Sequence, residues 1–290
     1  MINSSAIADY IALTKPRIIL LLLVTALGGM FLASKGAPLI SLAALVLVGG
    51  TLGAGGANAL NHYLDRDIDE LMKRTRRRPV PGLRVKPLHA LIFGISLNIL
   101  AFVILYFWVN LLAACLTLSA TLFYVLVYTR WLKRSTTQNI VIGGAAGAVP
   151  PMVGWAAVTG SLDLPALYMF AIVFFWTPPH FWALSLLIKD DYAQAEVPML
   201  PVVRGVPETT RSIMLHTIIL VAITILFFTI QVLGWIYLAT AIVLGLGFLF
   251  FAWRLLTVGG IRVTRQLYLY SLLYLALIFV AIMVDSVFVS

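Results

Sequence analysis

The stretch LISLAALVLVGGTLGAGGANALNHYLDRDIDELMKRTRRRP, residues 39–79, decides the fold. Its first part, 39–60, is an uncharged apolar run of the length that crosses a bilayer as one helix, roughly 20 residues. Its second part sets four acids, Asp65, Asp67, Asp69 and Glu70, with Arg66 among them, ahead of five more bases, Lys73, Arg74, Arg76, Arg77 and Arg78. An apolar helix therefore delivers its polar end to one rim of a membrane. Three further acids, Asp190, Asp191 and Glu196, form the other concentration, so two short stretches hold seven of the eleven carboxylates. In so apolar a chain, carboxylates persist where water, a cation or a charged ligand compensates for lost hydration.

Outward from that stretch the pattern repeats. With 62% hydrophobic and 11% charged residues, the composition excludes an ordinary soluble protein. Apolar runs at about 17–34, 39–60, 88–108, 111–129, 139–159, 165–188, 212–232, 234–255 and 266–288 predict nine membrane helices. The expected fold is all-α: a polytopic bundle around a central cavity, one transmembrane domain over 1–290, with 1–16 as a cytoplasmic segment. Placing the N-terminus in the cytoplasm puts nineteen of the twenty Lys and Arg residues inside, Lys35 alone falling outside. The net charge of +9 then reports topology, and no nucleic-acid partner is expected. Both acidic stretches land on the cytoplasmic side. The N-terminal MINSSAIADYIALTKPR has neither a transit-peptide nor a secretory pattern, and a bacterial inner membrane is expected. Cys115 is expected to be a small apolar residue of the fourth span. Gly-rich segments at 49–59 and 143–154 predict close helix packing. Pro150-Pro151 and Pro178-Pro179 predict breaks or kinks.

Asn61, Asp65 and Asp69 follow the spacing N-x-x-x-D-x-x-x-D, which on one α-helix places three oxygen ligands in a row. Mg²⁺ takes one or two carboxylates together with phosphate oxygens and water. Asp67 lies on another face and is expected to pair with Arg66, Arg74 or a neighbouring helix. Lys73, Arg74, Arg76, Arg77 and Arg78 supply donors for a metal-bound diphosphate. Arg130, Lys133 and Arg134, on the same rim, can join them. Asp190 and Asp191, read as the C-terminal end of the sixth span, require a cation because the helix dipole disfavours negative charge there. A second Mg²⁺ facing the first row would meet that need. The sixth span carries FFWTPPHFW, 174–182, whose rings can shield and stabilise a carbocation. His180 within it is a functional candidate because ionisable groups in spans are rare. His62 is expected to make a hydrogen bond that supports the row. His89 and His216 are expected near the interfaces.

These segments resemble the UbiA-type intramembrane prenyltransferases, most closely the branch that acts on haem. The resemblance rests on NHYLDRDIDELMKRTRRRPVP at 61–81, YTRWLKRSTTQNIVIGGAAGAVPPMVGW at 128–155, TPPHFWALSLLIKDDY at 177–192 and AEVPMLPVV at 195–203. It implies that farnesyl diphosphate binds with Mg²⁺ between the two Asp clusters and that the farnesyl group passes to the 2-vinyl group of haem B. Water addition would complete haem O. Asn61, Asp65 and Asp69 match the family's first motif. The second motif departs from its commoner D-x-x-x-D form, since Gln194 and Ala195 stand where a second Asp would be. Asp190 and Asp191 match by position only, with Glu196 as the alternative ligand. The resemblance implies a catalytic set of Asn61, Asp65, Asp69, Asp190 and Asp191, with metal ligation by the four aspartates. His180, Trp176, Phe181, Trp182 and His62 are expected in the haem or prenyl pocket. A haem A synthase or a terminal oxidase assembly is the expected recipient of product. The rival readings are a prenyltransferase of quinone precursors and a transporter. Against the first stands the segment from Thr177; against the second, acids gathered at one rim and not at mid-depth.

Overall fold

The computed structural model describes residues 4–288. Among them no strand occurs, and nine helices are long and apolar enough to cross a membrane. These are Pro16–Ser34, Ile40–Leu64, Pro87–Trp108, Leu111–Ser135, Asn139–Thr159, Leu164–Leu187, Gly205–Ile230, Trp235–Thr257 and Ile261–Phe288, the first to ninth spans. The protein is an all-α, multi-pass membrane protein. A further helix, Ser4–Thr14, precedes the first span and rests on the second.

Three boundaries move, each for a local reason. The fourth span runs past 129 to Ser135 because its backbone widens into π-type turns over Phe123–Leu132. The seventh begins at Gly205, whose φ of 79° lets the chain turn sharply out of the short helix Leu200–Val203. The ninth begins at Ile261, directly after Gly259 and Gly260, both at positive φ. The two proline pairs behave differently. Helix geometry is interrupted before Pro150, whereas Leu164–Leu187 continues through Pro178 and Pro179. The fifth, seventh and ninth spans pack around that helix and hold it where two N–H donors are missing.

Close packing depends on absent side chains. A Cβ on Gly154 would fall on the Ala26 carbonyl, and one on Gly29 on the Pro151 carbonyl, so the first and fifth spans meet backbone to backbone. Cys115 is exposed, not packed inside. Asp285, 1% exposed, accepts from the backbone N–H groups of Gly234 and Tyr237. It caps the eighth span from the ninth, so this buried acid has a structural explanation.

Candidate active site

The second span ends at Leu64, and a short helix, Arg66–Leu71, follows with Asp65 as the junction. The row is therefore not one uninterrupted helix. It survives because Asp65 N–H still donates to Asn61 O (2.9 Å) and Asp69 N–H to Asp65 O (2.8 Å), which carries the four-residue register across the joint. Asn61, Asp65 and Asp69 are all buried.

Cations from three separate segments lock this row. Lys133 Nζ donates to Asp65 Oδ2 at 2.5 Å, and Arg78 Nη1 donates to both oxygens of Asp69 at 2.9 and 2.8 Å. Lys15 Nζ donates to Asn61 Oδ1 at 2.8 Å. Asn61 Nδ2 in turn donates to Asp65 Oδ2 (2.7 Å) and to Thr129 Oγ1 (3.2 Å). Lys15, just ahead of the first span, is held down to about 7, chiefly by burial and also by Arg78 and Lys133, against the pull of Asp65 and Asp69. Two carboxylates thus face Lys133, Arg78 and Lys15, three basic side chains of which burial pulls Lys15 towards its neutral form.

Sequence reasoning used Lys15 for topology alone. Its position beside Pro16, at the entrance to the first span, was the available signal. Thr129 lay within the quoted 128–155 segment without an assigned role.

The basic cluster divides. Arg78 turns inward because the chain folds back over Asp69, where Thr75 Oγ1 donates to Asp69 O (2.9 Å). Lys73, Arg74, Arg76 and Arg77 are exposed, so the structure does not bring them to the row as a group. Arg130 is exposed as well. Arg134 grips Asp67 through two bonds, 2.6 and 2.8 Å, and also donates to Leu64 O (2.9 Å). Asp67 pairs with a neighbouring helix as expected, and its carboxyl is held at about 2, first by the Arg134 bonds.

The second stretch is arranged otherwise. The sixth span stops at Leu187, and Asp190 and Asp191 lie in the first turn of a new helix, Lys189–Gln194. The dipole argument made for them is reversed, because negative charge is favoured at a helix N-terminus. Asp190 is exposed, and Asp191 accepts from Arg74 N–H at 3.3 Å. Glu196 is exposed and lines a cavity of about 210 Å³ with Asp67 and Arg134. Tyr192 is buried, its phenol pushed up to about 12 by burial first, with the row's charges within electrostatic reach. Among the described residues no three acidic, histidine or cysteine side chains converge as a metal cluster. The first row nonetheless fits a hard divalent ion. Asp65 Oδ1 is buried without a hydrogen bond, and the Arg134 guanidinium is 3.8 Å away.

The expected pocket residues separate into two faces of the sixth span. Trp176 donates Nε1–H to Ser271 O (2.7 Å) and stacks on His180. Trp182 instead meets His216 edge-on at 4.9 Å and lines a cavity of about 630 Å³ with Arg204 and Glu208. Phe181 is half-buried in the core. His62 is buried with both ring nitrogens lacking partners, so the expected supporting hydrogen bond is not made.

A helical membrane bundle with a cation-locked Asn/Asp row defines a class, a multi-pass membrane protein with a buried charged site at one end of its second span. Residues 22–273 match the UbiA prenyltransferase family, and the chain belongs to that family of membrane enzymes. It is 52% identical over 288 residues to the protoheme IX farnesyltransferase of Gloeobacter violaceus, covering 98% of this chain and 94% of that protein. A Roseiflexus protein of the same name is 53% identical over 283 residues, and there the chain spans only 53% of the relative's length. A UbiA homolog from Archaeoglobus fulgidus, solved with GPP and Mg²⁺, has the same fold at 18% identity, with a TM-score of 0.72 over 95% of this chain and 99% of that one.

Proposed function

We propose that this enzyme transfers the farnesyl group of farnesyl diphosphate to the 2-vinyl group of haem B, with addition of water, giving haem O and diphosphate. The observation that carries the reading is the buried row in which Asp65 Oδ1 takes no hydrogen bond, beside Lys15, Arg78 and Lys133. The names of relatives about half identical supply the acceptor and the chain length.

Asp65 and Asp69 would hold Mg²⁺, which supplies Lewis-acid neutralisation of the leaving diphosphate. Lys133 and Arg78 are bonded to the same carboxylates and would contact a phosphate held at that site. Lys15, held down to about 7, would be drawn towards its charged form by an arriving anion. Departure of diphosphate would leave an allylic cation, which the rings on the Trp176 face of the sixth span would shield from water. The vinyl π-electrons form the new C–C bond, and the resulting cation next to the porphyrin takes a water oxygen and releases a proton. Asp190 and Asp191, with Glu196 as the alternative, would hold a second divalent ion on the diphosphate, since bare carboxylates repel it. We place both acidic stretches on the cytoplasmic face of a bacterial plasma membrane, following the distribution of Lys and Arg.

Mass spectrometry of haem extracted from cells expressing the chain tests the reading. A hydroxyethylfarnesyl mass gain is the expected result. Unmodified haem B beside abundant, membrane-inserted protein would end it.

A further inference from the structure

Three sides of the His180 ring are occupied. Trp176 stacks at 4.3 Å between centroids with planes 15° apart, and Tyr268 stacks at 4.9 Å and 23°. One imidazole face has room for a single stacked ring, so the two flank it. The third side is Nδ1, which lies 2.7 Å from Ser271 Oγ.

Ser271 decides the tautomer. Its Oγ also lies 2.7 Å from Tyr268 O, an acceptor only, and a hydroxyl proton given to that carbonyl leaves Oγ to meet His180 as an acceptor. Nδ1 therefore carries the hydrogen and donates. The lone pair of the neutral ring is left on Nε2. No hydrogen bond uses Nε2 among the described residues, and it is not one of the sealed nitrogens, which for histidine are both those of His62. A histidine that donates one N–H to an oxygen and leaves the other nitrogen free is arranged as a metal ligand is, its partner fixing both ring orientation and basicity. With both faces covered, an approaching group can reach the ring only along its edge. That is the approach a porphyrin iron makes to an imidazole.

We propose that Nε2 of His180 is the axial ligand to the iron of the acceptor porphyrin, with Ser271 as the positioning residue that holds the tautomer. The proposal rests on the haem reading above and adds the point of attachment. The nitrogen donates its lone pair to iron with no change in oxidation state. His180 would thereby fix the plane of the macrocycle relative to the sixth span and limit which edge faces the prenyl group.

The test uses purified full-length protein titrated with haemin, followed by its optical and electron paramagnetic resonance spectra. Wild type should show an imidazole-ligated spectrum, and His180→Ala should lose it, with affinity for haemin falling about tenfold or more. Added imidazole should restore the spectrum. Binding of metal-free protoporphyrin IX should be unchanged in the variant. Ser271→Ala, which keeps the ring and covers the case of a poorly folded His180→Ala, should weaken ligation and shift the spectrum. An unchanged haemin spectrum in His180→Ala would overturn the proposal, including when turnover is lost, since Nε2 would then serve proton transfer. Equal losses of affinity for haemin and for metal-free porphyrin would also overturn it, as packing. If wild type binds haemin but makes no haem O, the proposed function fails separately. Haem O made by wild type, with identical spectra in the two proteins, removes only the ligation.

Discussion

Asp65 and Asp69 are 1% and 2% exposed, and each is bonded by a cation from another segment, whereas Asp190 is exposed and Asp191 accepts one backbone N–H. Both stretches follow a membrane helix, and both read as clustered acids in sequence. Their difference is one of preorganisation. The first row has its charge neutralised and its geometry set before any ligand arrives, which is what electrostatic catalysis requires. The second sits on the short helix Lys189–Gln194, where Asp190 is exposed and Asp191 takes only a long bond from a backbone N–H.

Substitutions should rank accordingly. Asp65→Asn and Asp69→Asn should each lower turnover by about 10²–10³-fold or more, measured as prenyl transfer in detergent or nanodiscs. Lys133→Met should come next, because it strips buried Asp65 of its closest cation and leaves it the Asn61 amide and a guanidinium 3.8 Å away, a destabilising change. The double variant Asp65→Asn, Lys133→Met should then be more stable than Lys133→Met alone in thermal unfolding, because the stranded charge is gone. Equal or lower stability would mean the pair is not electrostatically coupled. Lys15→Met should weaken diphosphate binding about tenfold, with direct titration as the readout. On the second stretch, Asp191→Asn should cost less than any of these, and Asp190→Asn less again; a reversed order would overturn the contrast. The smallest effect belongs to Asp67→Asn. Its pair with Arg134 is largely exposed and contributes at most about 1 kcal/mol. Since the Asp67 carboxyl is lowered from 3.8 to about 2, that contribution is complete above about pH 4 and is lost as pH falls towards 2. A pH profile of stability in Asp67→Asn relative to wild type should show the difference vanish in acid.

Hydropathy alone located nine spans and both acidic stretches, because bilayer thickness sets helix length and carboxylates mark polar rims. Spacing found Asn61, Asp65 and Asp69, since the four-residue register persists even where the helix breaks at Asp65. Tertiary return paths were not legible in this way. Arg78 and not Arg76 or Arg77 reaches Asp69, because a turn held by Thr75 decides which side chain folds back. Lys15 precedes the first span, 46 positions from Asn61. The role given to Asp190 and Asp191 depended on which helix they belong to, and the break at Ile188 moved them from the end of one to the start of another. The sixth span's aromatic run reads as one block, but its rings lie on different faces, so Trp176 and His180 share a face that Trp182 does not.

The central claim, that the buried row holds a metal-bound diphosphate, meets its most direct test in the binding of farnesyl diphosphate to purified protein, titrated with and without Mg²⁺, for wild type and Asp65→Asn. The account predicts Mg²⁺-dependent binding in wild type and the loss of that dependence in the variant. Equal, Mg²⁺-dependent affinity in both proteins would contradict it.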